Sequence, residues 1–373
     1  MTNTNTNSHG THSSVGAGAG VGVGVSGDVE VEGAAGAGAE VEVDVVVVGG
    51  GAAGLSGALT LARARRSVLV LDSGSPRNAP AAHMHGFLGF DGANPAELLA
   101  RGRTEAAAYG ARFAPATAIA ADRIPEGGFR VRCDDGSTVR AARLLVASGL
   151  VDELPDVPGL AGRWGRDVLH CPYCHGWEVR DRPLAVLATG PLAVHQAQLW
   201  RQWSDRITLL LHRAAPLGGD QYEELAARGI AVAEGEVTAL RQAADGRLTG
   251  VELADGTTVP CEALVVAPRF AARAGVLTSL GIPLTEVERD GRVIGTAVDA
   301  DPHTGATALP GVWAAGNVTA PFEQVVGAAA QGVHAAVAIN ADLIAEEVRR
   351  ATAAAKAAAA SPQTPQAEPS PAH

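Results

Sequence analysis

A run of glycines between a valine-rich segment and a helical one constrains this chain more than any other feature. VDVVVVGGGAAG reads as a buried parallel strand that turns directly into the helical segment LSGALTLARARR. Gly49 permits the tight turn, Gly51 lets a pyrophosphate approach the backbone, and Gly54 lets the helix pack on the strand. Ala52 and Ala53 complete the turn, at a helix N-terminus that favours phosphate. The segment predicts a dinucleotide-binding βαβ unit.

The end of the following strand supports the same interpretation. SVLVLD closes with Asp72, where an acid can accept a hydrogen bond from a ribose hydroxyl. The next segment, PRNAPAAHMHGFLGFDG, contains Arg77 and Asn78, which we expect to contact the cofactor, together with His83 and His85. Its composition fits either a lining of the cofactor and substrate site or a solvated loop.

A second strand-helix-strand unit follows in the middle of the chain, with an incomplete fingerprint. In RPLAVLATGPLAVHQA, Ala188 occupies the first glycine position and Gly190 keeps the middle one. The next strand, RITLLLH, ends with His212 and Arg213 and has no acid, which favours a 2′-phosphate over a free ribose. The unit predicts an NADP site that is either working or vestigial.

Alternating strands and helices predict an α/β fold with two Rossmann-like, three-layer ββα nucleotide-binding domains, the second inserted into the first. The termini are rich in Gly, Ala, Ser or Pro and are expected to be disordered. The predicted boundaries are 1–43 for an N-terminal tail, 44–158 and 298–350 for the first domain, 159–297 for the second domain, and 351–373 for a C-terminal tail.

Charge and hydropathy exclude several classes of partner. The formal net charge of -11 comes without a cluster of Lys and Arg, so we expect neither a nucleic-acid nor a membrane partner. The longest apolar runs are broken by glycines and charges before they reach the length of a membrane span. Because no secretory signal pattern is present, we expect a cytoplasmic protein.

The motif CPYCHGWEV places two of the four cysteines at CxxC spacing. A zinc site needs four ligands, and Cys133 and Cys261 stand alone in strand-like segments, so no metal site is predicted. CxxCH is also a haem attachment pattern, but haem attachment normally accompanies export. The motif therefore predicts a dithiol/disulfide couple of Cys171 and Cys174, with His175 close enough to exchange a proton.

The order of these motifs resembles that of the thioredoxin-reductase-like flavoproteins. A complete fingerprint, a strand ending in Gly149, a Cys pair, a weaker fingerprint and GVWAAGN follow one another as in that family, over residues 44–345. The resemblance implies an FAD-dependent pyridine nucleotide-disulfide oxidoreductase that forms a homodimer.

The resemblance also implies roles for single residues. Gly316 and Asn317 fall where the family binds the ribityl chain, and Gln324 and Val325 fall where it approaches the flavin ring. Cys174 would be the flavin-side sulfur and Cys171 the sulfur that exchanges with substrate. The expected FAD contacts are Gly49, Gly51, Ala52, Ala53, Gly54, Asp72, Arg77, Asn78, Gly149, Gly316, Asn317, Gln324 and Val325.

Departures from the usual reductase pattern bear on the direction of the reaction. His175 and Asn317 each replace an aspartate, and Ala188-Thr189-Gly190 and Leu211-His212-Arg213 replace Gly-Gly-Gly and His-Arg-Arg. A CxxCHG motif followed by an eroded nicotinamide site resembles the dithiol oxidases that close disulfides in natural products, passing electrons through FAD to oxygen without NADPH. We therefore expect oxidation of a small-molecule dithiol, with His175 as the acid/base.

Two other functions remain open. One is NADPH-dependent reduction of thioredoxin or a similar protein through Gly190, His212 and Arg213. The other, from a different class, is a non-catalytic flavin redox sensor.

Overall fold

The computed structural model describes residues 41–190 and 192–360. The predicted tails lie largely outside the described residues. Two differences occur at their edges: the first strand begins at Val41 and the last helix ends at Ala360. Residues 41–43 extend a valine-rich strand, and residues 351–360 continue an Ala-rich helix, since alanine is the best helix former.

The described residues form α-helices and β-strands that alternate through most of the chain. In chain order they are β1 (Val41–Val48), α1 (Ala52–Arg63), β2 (Val68–Leu71), α2 (Pro95–Ala108), β3 (Arg112–Ala114), β4 (Ala118–Arg123), β5 (Phe129–Cys133), β6 (Thr138–Val146), β7 (Leu150–Glu153), β8 (Val168–Leu169), α3 (Pro172–His175), β9 (Leu184–Leu187), α4 (Ala193–Trp200), β10 (Ile207–Leu210), α5 (Gly219–Ala227), β11 (Ala231–Ala233), β12 (Val237–Gln242), β13 (Leu248–Leu253), β14 (Thr258–Pro260), β15 (Ala263–Val266), β16 (Arg269–Ala272), α6 (Gly275–Ser279), β17 (Leu284–Arg289), β18 (Arg292–Val298), β19 (Val312–Ala314) and α7 (Val325–Ala360). Short 3-10 helices lie at Ala161–Arg163 and Gly316–Val318.

The first sheet is built around β1. Its strand order is β3-β2-β1-β6-β5-β4, with β19 also pairing with β6. β1 runs parallel to β2 and β6, and its residues Val45–Val48 are fully buried. Strands buried on both faces are typically continuous runs of β-branched residues, which is what the valines of β1 provide.

Different layers cover the two faces of this sheet. One face packs on α1 and α7 through residues such as Leu61 and Ile339. The core on the other face includes Phe129 of β5, one of the sheet's own antiparallel strands, and Leu277 of α6. α1 and α7 approach closely because Gly57 and Gly332 lack a Cβ where the two helices meet.

The second sheet repeats the arrangement with strand order β11-β10-β9-β15-β8, all parallel. Helices α4 and α5 cover one face around Trp200 and Leu225. The antiparallel meander β12-β13-β14 covers the other face around Leu240 and Val251. The predicted fold class, two Rossmann-like units with the second inserted into the first, is confirmed.

The strands around residue 297, the predicted end of the inserted unit, share a sheet with a strand of the first unit. β16 pairs with β7 and β18, in a separate sheet of order β17-β18-β16-β7. Val276, Leu277 and Val298 pack in the core beside the first sheet. Residues 269–298 therefore belong structurally with the first unit, because their apolar side chains are buried there.

None of the helices among the described residues combines the length and the apolar character needed to cross a membrane.

Candidate active site

A cavity of about 1360 Å³ opens between the carboxyl ends of the parallel strands of the two sheets. It brings together most of the residues that the sequence predicts for the cofactor and the redox centre. Those lining it are Gly49, Gly51, Ala52, Ala53, Asp72, Arg77, Asn78, Gly149, Cys171, Cys174, His175, Gly190, Gly316, Asn317, Gln324 and Val325. Gly54, His212 and Arg213 do not line it.

The glycine turn at the start of α1 forms a cradle at one end of this cavity. Gly49 has φ +102° and packs against the carbonyl of Ala147, so a Cβ there would be both strained and blocked. A Cβ on Gly54 would collide with the carbonyl of Gly49, whereas a Cβ on Gly51 would meet nothing within 4 Å. The open space at Gly51, in front of a helix N-terminus, fits the pyrophosphate of a dinucleotide.

Asp72 lies beside this cradle, where a Cβ on Gly50 would approach its Oδ2 to 2.5 Å. Its carboxylate is paired with Arg103 of α2, which also lines the cavity. Arg103 was not predicted from the sequence, because nothing in the local pattern connects α2 with the end of β2.

Arg77 is the centre of a network on the far side of the cavity. Its Nε and Nη2 donate to the two carboxylate oxygens of Asp152, at 2.8 and 2.7 Å. Its Nη1 donates to Asn317 Oδ1 at 3.4 Å and to the carbonyl of Pro321 at 3.3 Å. The guanidinium also lies 5.4 Å from the ring centroid of Phe270. Asp152 was not singled out by sequence.

The predicted flavin-side residues lie on the turn that leads into α7. Gly316 adopts φ +80°, and its N–H donates to Gln331 Oε1 at 2.8 Å. Gln331 donates in turn to Glu323 Oε2 at 3.3 Å. This brace holds the turn before Gln324 and Val325 at the wall of the cavity.

The Cys pair forms a disulfide at the start of the short helix α3. Cys171 precedes the helix and Cys174 lies within it, and both are partly buried. Cys133 and Cys261 are buried elsewhere, and burial raises the pKa of the Cys261 thiol to about 12. Cys171 and Cys174 are therefore the pair suited to thiol exchange.

A histidine stands on each side of the pair. Burial lowers the pKa of His175, and the charge of Glu178 partly opposes this shift. Burial also lowers the pKa of His170, assisted by the charge of Arg77. Both imidazoles are therefore favoured in the neutral form. His175 was predicted from the sequence and His170 was not, although the position of His170 directly before Cys171 is visible in the sequence.

The segment after Asp72 lines the cavity as far as His85, whereas residues 86–92 lie outside it and Leu88 is 97% exposed. His83 and His85 are both part of the wall. His85 Nε2 lies 3.4 Å from Glu178 Oε1, and its Nδ1 lies 3.3 Å from Asp91 Oδ1. His85 therefore joins this segment to the chain that follows the Cys motif.

The residues predicted for NADP are not brought together. Gly190 faces the cavity with nothing within 4 Å of its ideal Cβ. His212, at φ +53°, accepts a hydrogen bond at Nδ1 from the backbone N–H of Val237 at 3.0 Å. Arg213 Nε donates to Glu236 at 2.9 Å, so its charge is already paired.

Comparison with known proteins agrees with this geometry. Residues 43–332 match the family profile of the pyridine nucleotide-disulphide oxidoreductases. The chain is 32% identical to thioredoxin reductase sirT of Leptosphaeria maculans, over 78% of this chain and 91% of that protein. It is 30% identical to thioredoxin reductase aclD of Aspergillus oryzae, over 80% of this chain and 96% of that protein.

A solved structure is also similar. The crystal structure of HlmI shares 47% identity with the chain and superimposes with a TM-score of 0.79, covering 86% of this chain and 98% of HlmI. The chain therefore belongs to the pyridine nucleotide-disulphide oxidoreductase family and is an FAD-dependent oxidoreductase of the thioredoxin-reductase type.

Proposed function

We propose that the enzyme oxidises a small-molecule dithiol to a disulfide through Cys171 and Cys174, with oxygen as the final acceptor. The observation that favours oxidation of a dithiol over reduction by NADPH is that the described residues of the second nucleotide site lack free side chains for a 2′-phosphate. The side chains that would hold a 2′-phosphate, His212 and Arg213, are engaged by Val237 and Glu236.

The charges around the second nucleotide site also disfavour a bound 2′-phosphate. The Glu236 carboxylate forms an ion pair with Arg213. A phosphate that approached Arg213 would be repelled by this carboxylate and would have to displace it. Burial and the charge of Arg213 lower the pKa of His212, which favours an uncharged ring. A neutral histidine and a paired arginine bind phosphate less well than two free cations.

The chemistry starts with disulfide exchange. One substrate thiolate attacks Cys171 Sγ, which breaks the Cys171–Cys174 bond and releases Cys174 as a thiolate. The second substrate thiolate attacks the substrate sulfur of that mixed disulfide, which releases the substrate disulfide and leaves both cysteines reduced. FAD, when bound, would supply the remaining redox chemistry: the electron pair of the two cysteines would pass to it and then to oxygen, which would give hydrogen peroxide.

We assign His175 as the base that deprotonates the substrate thiols in these exchange steps. Its lowered pKa keeps the imidazole neutral, so it can take a proton from a substrate thiol. The neighbouring Glu178 carboxylate favours the imidazolium that forms. We assign the exchange role to Cys171 and the flavin-side role to Cys174.

For the cofactor we propose the predicted set of contacts. The cradle at Gly49, Gly51 and Gly54 would hold the pyrophosphate at the start of α1, and Asp72 would accept from the ribose. The turn at Gly316 and the start of α7 at Val325 would position the ribityl chain and the flavin ring. A cytoplasmic homodimer remains our expectation for the assembled enzyme.

Reduction of a thioredoxin-like protein by NADPH is the second candidate. Gly190 favours it, because the space before its backbone is open to the cavity. The related proteins sirT and aclD carry the name thioredoxin reductase.

Anaerobic titration separates the two candidates. Flavin absorbance is followed while the holoenzyme is mixed with excess small dithiol in one cuvette and with NADPH in another. We expect bleaching by the dithiol alone, and recovery of the band with formation of peroxide when air is admitted. Rapid bleaching by micromolar NADPH would overturn the oxidase direction.

A Cys174→Ser variant tests whether dithiol oxidation passes through the Cys171–Cys174 pair. It retains the cavity and should bind FAD, but it should lose catalytic dithiol oxidation. Full turnover by this variant would remove the Cys pair from the mechanism.

A further inference from the structure

A tight hairpin places two arginines opposite each other at the rim of the cavity. β17 and β18 are joined by Asp290 at φ +49° and Gly291 at φ +72°, the positive-φ pair of a type I′ turn. This turn sets Arg289 directly across from Arg292 in the antiparallel register. Both residues line the cavity.

The opposition of these two charges is unfavourable by itself. Directly opposed like charges destabilise a strand pair. Neither arginine forms an ion pair with a carboxylate within residues 41–190 and 192–360. By contrast, Arg77, Arg103 and Arg269, which also line the cavity, are paired with Asp152, Asp72 and Glu153. An anion between Arg289 and Arg292 would remove the repulsion.

A row of aromatic rings connects this pair to the redox centre. The Arg289 guanidinium lies 5.5 Å from the ring centroid of Phe322, which is 47% exposed. Phe322 stacks edge-on against Phe270 at 5.1 Å, and Phe270 against His170 at 5.4 Å. His170 is joined directly to Cys171. The row therefore forms one wall from the outer rim to the exchanging sulfur.

We propose that Arg289 and Arg292 bind the carboxylate of an acidic dithiol substrate whose carbon chain lies along Phe322. The proposal rests on the proposed function and names its substrate class: a small dithiol with an acid group several bonds from its sulfurs. Two arginines present several N–H donors to one carboxylate, and the aromatic wall packs against the apolar spacer. In a chain of net charge -11, these two arginines provide local attraction for an anion.

The test compares two dithiols that differ only in charge. Dihydrolipoate carries a carboxylate, and dihydrolipoamide has the same carbon chain and sulfurs with a neutral amide. With the FAD-loaded enzyme at low ionic strength, we expect kcat/KM for dihydrolipoate to exceed that for dihydrolipoamide by about fivefold. The ratio should fall as salt screens the arginines.

Substitutions in the hairpin test whether Arg289 and Arg292 cause the preference for dihydrolipoate. Arg289→Gln with Arg292→Gln should bring the ratio to about 1, chiefly through KM for dihydrolipoate. Arg247→Gln removes one positive charge on a turn outside the cavity and should keep the wild-type ratio. Because the double variant also removes a repulsive pair, its melting temperature should be no lower than that of the wild type.

The possible failures are distinguishable. Equal kcat/KM for the two dithiols in the wild type, or a preference that survives the double variant, overturns the assignment of the arginines and leaves dithiol oxidation standing. Absence of flavin bleaching by either dithiol overturns dithiol oxidation, and the substrate class with it.

Discussion

The side chain of Asn317 lies against the backbone carbonyls of the segment that follows it. Its Nδ2 donates to the carbonyls of Ala320 and Glu323 at 3.0 and 2.9 Å, and its Oδ1 accepts from Arg77 at 3.4 Å. An aspartate has no donor to offer these carbonyls. The amide, which departs from the family's usual aspartate, therefore matches its surroundings in this chain.

Replacing this amide by a carboxylate tests the match. Asn317→Asp should lower the free energy of unfolding by about 1–3 kcal/mol, because two carbonyls lose their donor and face a negative charge. Urea denaturation of the apoprotein measures the change. Asn340→Asp is the matched control, since among the described residues the Asn340 side chain makes one hydrogen bond, which its Oδ1 accepts from Arg66 Nε at 2.7 Å. Equal losses in the two variants would contradict the role of the Asn317 donor.

At the scale of elements, the junction of β1 and α1 separates two uses of glycine. Gly54 makes room for the chain itself, because its missing Cβ would overlap the carbonyl of Gly49. Gly51 makes room for something else, because no protein atom lies within 4 Å of its ideal Cβ. One glycine of the fingerprint therefore serves folding, and another leaves space for the cofactor.

Alanine at each position should separate the two uses. Gly54→Ala should destabilise the apoprotein by about 1–3 kcal/mol through overpacking. Gly51→Ala should leave the apoprotein as stable as the wild type and reduce the FAD-to-protein ratio after purification, because its methyl group occupies the space for the pyrophosphate. Thermal unfolding of the apoproteins and the flavin absorbance of the purified proteins measure these effects. Full FAD loading of a folded Gly51→Ala protein would contradict the assignment.

At the scale of the whole molecule, Arg77 joins parts of the chain that are far apart in sequence. It connects the segment after β2 with Asp152 of β7 and with the turn at Asn317 and Pro321. The Asp152 side chain is only 8% exposed, and Arg77 is its ion-pair partner. The pair therefore joins the segment after β2 to β7 at the wall of the cavity.

Removing Arg77 should therefore be costly. Arg77→Gln leaves a largely buried carboxylate unpaired and should lower stability by roughly 3 kcal/mol, whereas adding Asp152→Asn should recover part of the loss. Arg269→Gln is the control, because its partner Glu153, on the same strand, is exposed and the pair should contribute less than about 1 kcal/mol. Chemical denaturation of the wild type, the two single variants and the double variant measures the order of their free energies of unfolding. A loss for Arg77→Gln no greater than that for Arg269→Gln would contradict it.

How far the sequence predicts this molecule depends on how local each signal is. The fingerprint around Gly49, the acid at Asp72 and the CxxC motif are short patterns, and they indicated the fold class, FAD and the redox pair. Arg103 and Asp152 were missed, because their partners come from segments distant in the chain. A strand pattern likewise does not state which sheet the strand joins, and the pairing of β16 with β7 appears only in the structure.

The sequence by itself determined the order of the elements and the identity of the chemical groups, since periodicity, glycine turns and cysteine spacing act over a few residues. Only the tertiary structure decided how those groups are used. Packing brought His170 and His175 into partly buried positions that lower their pKa, and it turned Arg213 towards Glu236. It also placed Arg289 and Arg292 at the cavity rim without a carboxylate partner among the described residues. Burial and charge pairing depend on distances between remote parts of the chain, which exist only after the chain has folded.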